Sequence, residues 1–288
     1  MILVCKIKSQ MEGNQMNPIK FVHLTDTHMN APHTEGPFVK FNLADKVRQV
    51  FAHIQQNRVN PSFVVITGDL SHEGNTKDYE YIRELVDEGS SLLGIPVYVV
   101  LGNHDHRAPF REGFLKEEPS EQPYYYSHTI QGLRLIGLNS QTPGHHYGRI
   151  DNEQLAWLEE ELSTPADRGT IIALHHPLLT IESMPAEHVL ADREQLGQVL
   201  AGTDVVCIVA GHVHTNNVGT YNGICSIAAN GTAFTGELAD DDHFSMVDYC
   251  SYNVVSVNPE GVSVQTVVMP GGRDEYLRFP LAMLAAQH

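Results

Sequence analysis

The feature that most narrows what this chain can fold into is a repeated pairing. A short apolar, β-branched run is followed at once by residues whose side chains bind cations. Phe21–Thr25 leads into Asp26-Thr-His28, Phe63–Thr67 into Gly68-Asp69, and Val97–Leu101 into Gly102-Asn103-His104-Asp105. Ile171–Leu174 leads into His175-His176-Pro177, and Val205–Ala210 into Gly211-His212-Val213-His214. Runs this short and this rich in Val and Ile suit buried strands better than helices. Groups placed after strands in this way gather at the rim where open α/β sheets bind ligands. Asp26 and His28, like His212 and His214, are two residues apart, a spacing that puts both side chains on one face of an extended segment.

Further strand-like runs lie at Leu133–Leu138, Ile224–Ala228, Asn253–Val257 and Val262–Val268. Helical periodicity falls between the strands. Leu43, Val47, Val50, Phe51 and Ile54 share one face of a helix that should end near Asn57, ahead of Pro61. Tyr81, Ile82, Leu85 and Val86 mark a second helix. Asp151 to Gln154 reads as a capping box ahead of Leu155, Leu158 and Leu162, and Asp192 as the cap of a helix carrying Leu196, Val199 and Leu200. This alternation predicts an α/β domain with helices covering the sheets, and the strand-rich last third predicts that the sheets are mixed. The expected organisation is an N-terminal extension at 1–17, loosely held or else an edge strand at Ile2–Ile7, and a single domain over 18–288. A short C-terminal extension at about 271–288 either packs back on the body or joins a subunit contact, which makes a homodimer one expectation. The acidic run Glu237 to Asp242 reads as a solvated loop, with a substrate-gating lid as the lesser alternative.

Composition excludes several classes. With 18 basic and 35 acidic residues among 288, the formal charge is −17. Such a surface repels nucleic acid and anionic membranes but not a small anion drawn to bound cations. No apolar run approaches the roughly 20 residues that span a bilayer, and the apolar core at Met1 to Lys8 is short for a secretory signal. The four cysteines form no CxxC pair or disulfide framework, so the expected compartment is the cytoplasm. The 17 histidines nearly equal all lysines and arginines, so position must decide which of them matter.

Carboxylate, imidazole and amide donors together suit manganese, iron or zinc better than calcium, and the lack of cysteine among them disfavours a closed structural zinc site. The order D-x-H, GD, GNHD, H-x-P, GH-x-H resembles the calcineurin-like metallophosphoesterase superfamily. The stretches Asp69 to Gly74, Pro143 to Gly148 and Gln154 to Leu158 are similar to its branch of class III cyclic nucleotide phosphodiesterases and glycerophosphodiesterases. The resemblance implies a four-layer α/β fold, a β-sandwich of two mixed sheets flanked by helices. It also implies two divalent ions per chain (Mn²⁺, Fe²⁺/Fe³⁺ or Zn²⁺). Asp26, His28, Asp69 and His214 would hold one ion; Asp69, Asn103, His175 and His212 would hold the other. His175 is taken over His176 because the first histidine of H-x-P is the family's ligand.

His104 is then left over, to bind the phosphate or protonate the departing alkoxide, with Asp105 orienting its ring. His72, His106 and His176 are candidate substrate contacts, as are Asn103 and His104. His23 reads as a packed structural histidine, and His145 and His146 as residues of a Gly/Pro loop that either lies on the surface or faces the pocket. Ser71-His72-Glu73 stands where protein phosphatases carry D-R-G, and His72 stands where purple acid phosphatases carry a tyrosine. The implied activity is hydrolysis of a small phosphodiester, a cyclic nucleotide or a glycerophosphodiester, by attack of a metal-activated water. Phosphomonoesterase or nucleotide pyrophosphatase activity is the alternative, and a non-catalytic metal-binding interaction module the alternative of another class.

Overall fold

A computed structural model describes residues 17–32, 41–182, 184–240 and 242–285. The strands are β1 Ile19–Leu24, β2 Phe63–Thr67, β3 Val97–Val100, β4 Tyr126–Ile130, β5 Leu133–Gly137, β6 Thr170–Ala173 and β7 Val205–Ala210. They continue with β8 Asn217–Tyr221, β9 Ile224–Ala228, β10 Thr235–Asp240, β11 His243–Val247, β12 Ser251–Asn258, β13 Gly261–Val268 and β14 Glu275–Pro280. The helices are α1 Leu43–Gln56, α2 Thr76–Leu93, α3 Arg107–Phe110, α4 Asn152–Leu162, α5 Arg193–Leu200 and α6 Leu281–Ala285.

Two sheets stack face to face. The first has the order β13-β12-β1-β2-β3, the second β4-β5-β6-β7-β9-β8. In the first, β1, β2 and β3 run parallel while β12 and β13 are antiparallel; in the second, β5, β6, β7 and β9 run parallel and only the edges are reversed. Alternation along each strand assigns its two faces. Phe21, Phe63, Val65, Leu135, Ile171, Cys207 and Val209 meet between the sheets, with Phe21 and Phe63 stacked at 4.9 Å. Val22, Leu24, Val64 and Ile66 face α1 and α2 on one outside, and Ile136, Ile172 and Ile208 face α4 and α5 on the other. Both faces of each sheet are therefore apolar, as parallel sheets under helices require. The result is the four-layer sandwich of two mixed sheets flanked by helices.

The helix boundaries follow local chemistry. Asn42 caps α1 through the Asp45 amide, and Asn57 ends the helix as expected. Asn75 and Asp78 form a reciprocal capping box on α2, which ends at Gly94 in the left-handed conformation. Two expected caps differ. Asp151 accepts from the Gln154 amide, but the Gln154 side chain turns inward and bonds both backbone groups of Asn139. Asp192 makes no side-chain cap on α5, and its Oδ2 accepts from the Ile150 amide instead.

A third sheet, β10-β11-β14, was not expected. Glu237 to Asp240, read from the sequence as loop, lies within β10. The C-terminal segment packs back on the body: β14 pairs with β11, and Tyr276 stacks on Phe41 at 3.8 Å and accepts from Lys46 Nζ at 3.0 Å. The two readings of 1–17 fall, but for residue 17, outside the described residues. Among those residues no helix is long and apolar enough to cross a membrane.

Candidate metal centre

The parallel strands β1, β2, β3, β6 and β7 point their carboxyl ends at one rim, and the turns that follow them carry the donors. The geometry of those turns is not extended. Asp26, His28, Asp69, His212 and His214 have φ of 51°, 43°, 46°, 71° and 50°. The two-residue spacing in Asp26-Thr-His28 thus brings its side chains together through paired left-handed residues, not through a strand face, whereas the same pairing in His212-Val-His214 sends its rings to separate groups. Gly68 is also left-handed at φ 89°, and a Cβ there would collide with the His175 ring.

Asp26, His28, Asp69 and His214 converge, each offering one donor atom within 4.8 Å of the others. His214 Nε2 lies 3.1 Å from Asp26 Oδ1 and 3.2 Å from His28 Nε2. Asp69 Oδ2 lies 3.7 Å from His28 Nε2 on one side and 3.4 Å from His175 Nε2 on the other. His175 Nε2 is in turn 3.0 Å from Asn103 Oδ1. His175, His176 and His212 form a second cluster within the same 4.8 Å limit. The structure therefore brings all seven sequence-derived donors to one rim, with Asp69 between the two groups.

The outer contacts fix which atoms face inward. His175 Nδ1 donates to Thr67 O at 2.7 Å and His214 Nδ1 to Phe234 O at 3.0 Å, which leaves each Nε2 with its lone pair toward the cluster. Asp26 Oδ2 accepts from Thr25 Oγ1 at 2.7 Å and from the His212 amide at 3.0 Å, leaving Oδ1 inward. The Asn103 amide turns its Nδ2 to His146 Nδ1 at 3.0 Å, leaving Oδ1 inward. Lone pairs facing lone pairs at 3.0–3.4 Å repel unless a proton or a cation lies between them. Burial opposes charging His175, yet the Asp69 and Asp26 carboxylates raise it to about 9. Burial likewise opposes ionising Asp69, but His175, His104 and His28 hold its carboxyl well below the usual range. Buried carboxylates that favour positive charge on the imidazoles between them suit divalent cations at the same place.

Around the donors, several expected roles are reassigned. Asp105 does not orient His104. Its fully buried carboxylate accepts from the amides of Leu70, Ser71 and Gly102 at 3.1, 3.1 and 2.8 Å and from Tyr79 Oη at 3.0 Å. Sequence adjacency to His104 misled here, because successive residues of a turn point apart. The carboxylate on His104 is Glu73, whose Oε1 lies 3.0 Å from His104 Nδ1 and whose Oε2 lies 2.9 Å from His106 Nε2. The signal for Glu73 was an acid in the same loop as Asp69, four residues on.

His72 lies tilted against His104 at 4.5 Å in the cleft, where burial and the His104 charge push it down to about 4. His106 lines an adjoining cavity with Arg107 and Gln141. His176 has both ring nitrogens engaged, Nδ1 with Ser140 Oγ at 2.8 Å and Nε2 with His146 O at 3.0 Å, so it braces the loop. That loop is not simply surface: His146 lines the cleft. His23 is packed, with Nε2 2.9 Å from Thr67 Oγ1. The cleft encloses about 350 Å³, and its other wall is apolar, made by Met184, Val213, Phe234, Phe244 and Met246. Phe244 and Met246 come from the third sheet, so the strands missed in the sequence shape the site.

A sandwich of this architecture, with inward-facing donors at one rim, has the form of a metal-dependent hydrolase of phosphoric esters. Residues 19–216 match the calcineurin-like phosphoesterase family. A cAMP/cGMP dual specificity phosphodiesterase of Mycobacterium tuberculosis is 37% identical over 254 residues, 87% of this chain and 80% of that protein. A probable glycerophosphodiester phosphodiesterase of Arcobacter nitrofigilis is 29% identical over 213 residues, 72% of this chain and 76% of that protein. Among solved structures, a dimetal phosphatase from Danio rerio superposes with a TM-score of 0.58 at 16% identity, covering 88% of this chain and 100% of the other, a likeness of fold. The chain belongs to the calcineurin-like phosphoesterase family, whose members use a binuclear centre of divalent cations.

Proposed function

We propose that the protein is a dinuclear metal-dependent phosphodiesterase that hydrolyses small phosphodiesters, cyclic nucleotides or glycerophosphodiesters. The observation that carries this reading is the position of Asp69 Oδ2, 3.7 Å from one imidazole group and 3.4 Å from the other. A carboxylate so placed can be shared by two ions. Asp26, His28, Asp69 and His214 would hold one, and Asp69, Asn103, His175 and His212 the other, with manganese, iron or zinc suited to both. When bound, such a pair neutralises phosphoryl oxygens and lowers the pKa of water.

The chain's own residues supply the rest. Glu73 holds His104 by Nδ1, which fixes the ring so that Nε2 can bind a phosphoryl oxygen or deliver a proton to the departing alkoxide. Asp105 and Tyr79 keep the Asp69 and Asn103 loops in register. The apolar wall of Met184, Phe244 and Met246 suits a planar base, and the names of the relatives favour a diester.

The test is hydrolysis of bis(p-nitrophenyl) phosphate against p-nitrophenyl phosphate, with Mn²⁺ and with chelator. A panel of cyclic nucleotides, glycerophosphodiesters and monoesters on the same metal-analysed sample extends it. Metal-dependent turnover of the diesters is expected. Inactivity on every ester despite two bound ions would overturn the reading.

A further inference from the structure

Two cysteines take no part in the chemistry above, yet the second sheet sets them side by side. Cys207 is on β7 and Cys225 on β9, and the two are register partners across that parallel pair. Partners in register turn their side chains to the same face of a sheet. Here that face is the layer between the two sheets, where Cys207, Val209 and Ile227 are buried and Cys225 packs against the same cluster. Both are free thiols.

Neighbouring strands lie about 4.7–4.9 Å apart, and the Cα atoms joined by a disulfide lie about 4.4–6.8 Å apart. Partners in register therefore fall within bonding range with the backbone where it stands. The two thiols are unlike. Cys207 is wholly buried, whereas Cys225 is partly exposed. Contact with Cys207 draws the Cys225 thiol down to about 7, and the same contact, together with burial, holds Cys207 well above its usual range. An accessible thiolate beside a second, resolving thiol is the arrangement that oxidises reversibly. Cys250 differs: it lies between β11 and β12, and burial pushes its thiol up to about 12.

We propose that Cys207 and Cys225 are a reversible redox pair, closed to a disulfide by a hydroperoxide, that braces the segment between them. Cys225 as thiolate attacks a peroxide oxygen, the O–O bond breaks, an alcohol or water leaves, and Cys225 becomes a sulfenic acid. The Cys207 sulfur then attacks the Cys225 sulfur, the S–O bond breaks, and the thiol proton departs with the hydroxyl as water. Two thiols and one hydroperoxide thus give one disulfide, one alcohol or water from the peroxide, and one further water. A dithiol reopens the bond by exchange. The bond ties the two ends of a segment that holds β8 and the turn of His212 and His214, and a closed loop has fewer open conformations to reach. The bracing acts on the chain itself and does not rest on bound ions.

The experiment is titration of the metal-free full-length chain with hydrogen peroxide, followed by alkylation of the remaining thiols in denaturant, proteolysis and mass spectrometry. The expected product has lost two hydrogens, yields a Cys207–Cys225 linked peptide pair, and reverts on dithiothreitol with Cys250 alkylated throughout. In Cys207→Ala the bond cannot close, and a dimedone-trapped sulfenic acid should collect at Cys225. Hydrogen–deuterium exchange of the intact chain, bonded against reduced, should slow by about tenfold or more for amides within 208–224. Oxidation of Cys225 to a sulfinic acid with Cys207 left reduced, a different pairing, or no loss of thiols would overturn the redox pair. Unchanged exchange in the bonded chain would overturn the bracing.

Discussion

Asp105 allows a quantitative test of what holds the catalytic loops together. Its Oδ2 accepts from the Leu70 and Gly102 amides, and its Oδ1 from the Ser71 amide and the Tyr79 hydroxyl, all at 2.8–3.1 Å and all buried. In Asp105→Asn the side-chain NH₂ must face one of these pairs, whichever way the amide is turned. Either way two donors lose their acceptor, although the Tyr79 hydroxyl can turn to accept from the NH₂. Hydrogen bonds to an ionised acceptor are worth roughly 1.5–3 kcal/mol each, so the loss is about 3–6 kcal/mol before relaxation. Burial and the nearby Asp69 charge push the Asp105 carboxyl up to about 6, so removing its charge offsets part of that loss. The expected outcome lies at the lower end, about 3 kcal/mol, a large share of the roughly 5–15 kcal/mol that holds a domain folded. Equilibrium urea unfolding of the metal-free chains measures it. Tyr79→Phe is the milder companion: it removes one donor to Asp105 and the acceptor of the His106 amide, and should cost about 1–3 kcal/mol. A change under about 1 kcal/mol in Asp105→Asn, with turnover lost and metal retained, would refute the stapling role and return Asp105 to the chemistry.

Three further outcomes follow from the same geometry. Asp69→Asn should lose tight binding of both ions and with it diesterase activity; two bound ions and near-normal rates would rule out the shared carboxylate. Glu73→Gln should keep both ions but lower kcat by about 10–100-fold, most with poor leaving groups, because His104 loses the carboxylate on Nδ1; a rise in KM alone would make Glu73 a binding residue. Chelation should lower the thermal midpoint, since ions bound only by the folded state stabilise it by mass action, and readdition of Mn²⁺ or Zn²⁺ should restore it. An unchanged midpoint would argue against resident ions.

The parts of the fold that could be read from the sequence are those whose strands are buried on both faces. Phe63–Thr67, Val205–Ala210 and Ile224–Ala228 have the expected boundaries because a continuous apolar run admits few alternatives. The third sheet was hidden for the opposite reason. Its strands Thr235–Asp240 and Glu275–Pro280 are polar and half exposed, and one ends in proline, so neither periodicity nor composition distinguishes them from loop. At the site, the convergence of the candidate donors on one rim was legible because each follows a strand directly. Their supports were not, because they act across the chain: Glu73 reaches His104 from 31 residues away, and His146 reaches Asn103 from 43. Asp105 shows the reverse error, in which closeness in sequence suggested a contact that the turn forbids.

The left-handed turns explain why those supports exist at all. A non-glycine residue at φ near 50° costs on the order of 1–2 kcal/mol, and five of the seven donors adopt it. Cation binding alone would not hold such turns in the protein without ions. Neighbouring loops do so by continuing the sheet's pairing beyond its strands. The amides of Asp26, His28 and Met29 donate to the carbonyls of Gly68, Asp69 and Leu70 at 3.1, 2.9 and 2.8 Å. Gly211 donates to His175 O at 2.8 Å, Thr232 and Ala233 donate to Thr25 O and Asp26 O, and Gly236 donates to His214 O at 2.9 Å. Each donor turn is thus tied to the next one around the rim, and the acceptors at Asp105 close the Asp69 and Asn103 turns from beneath. The strain is carried by backbone hydrogen bonds, which leaves the inward lone pairs to meet the cations in a geometry already set.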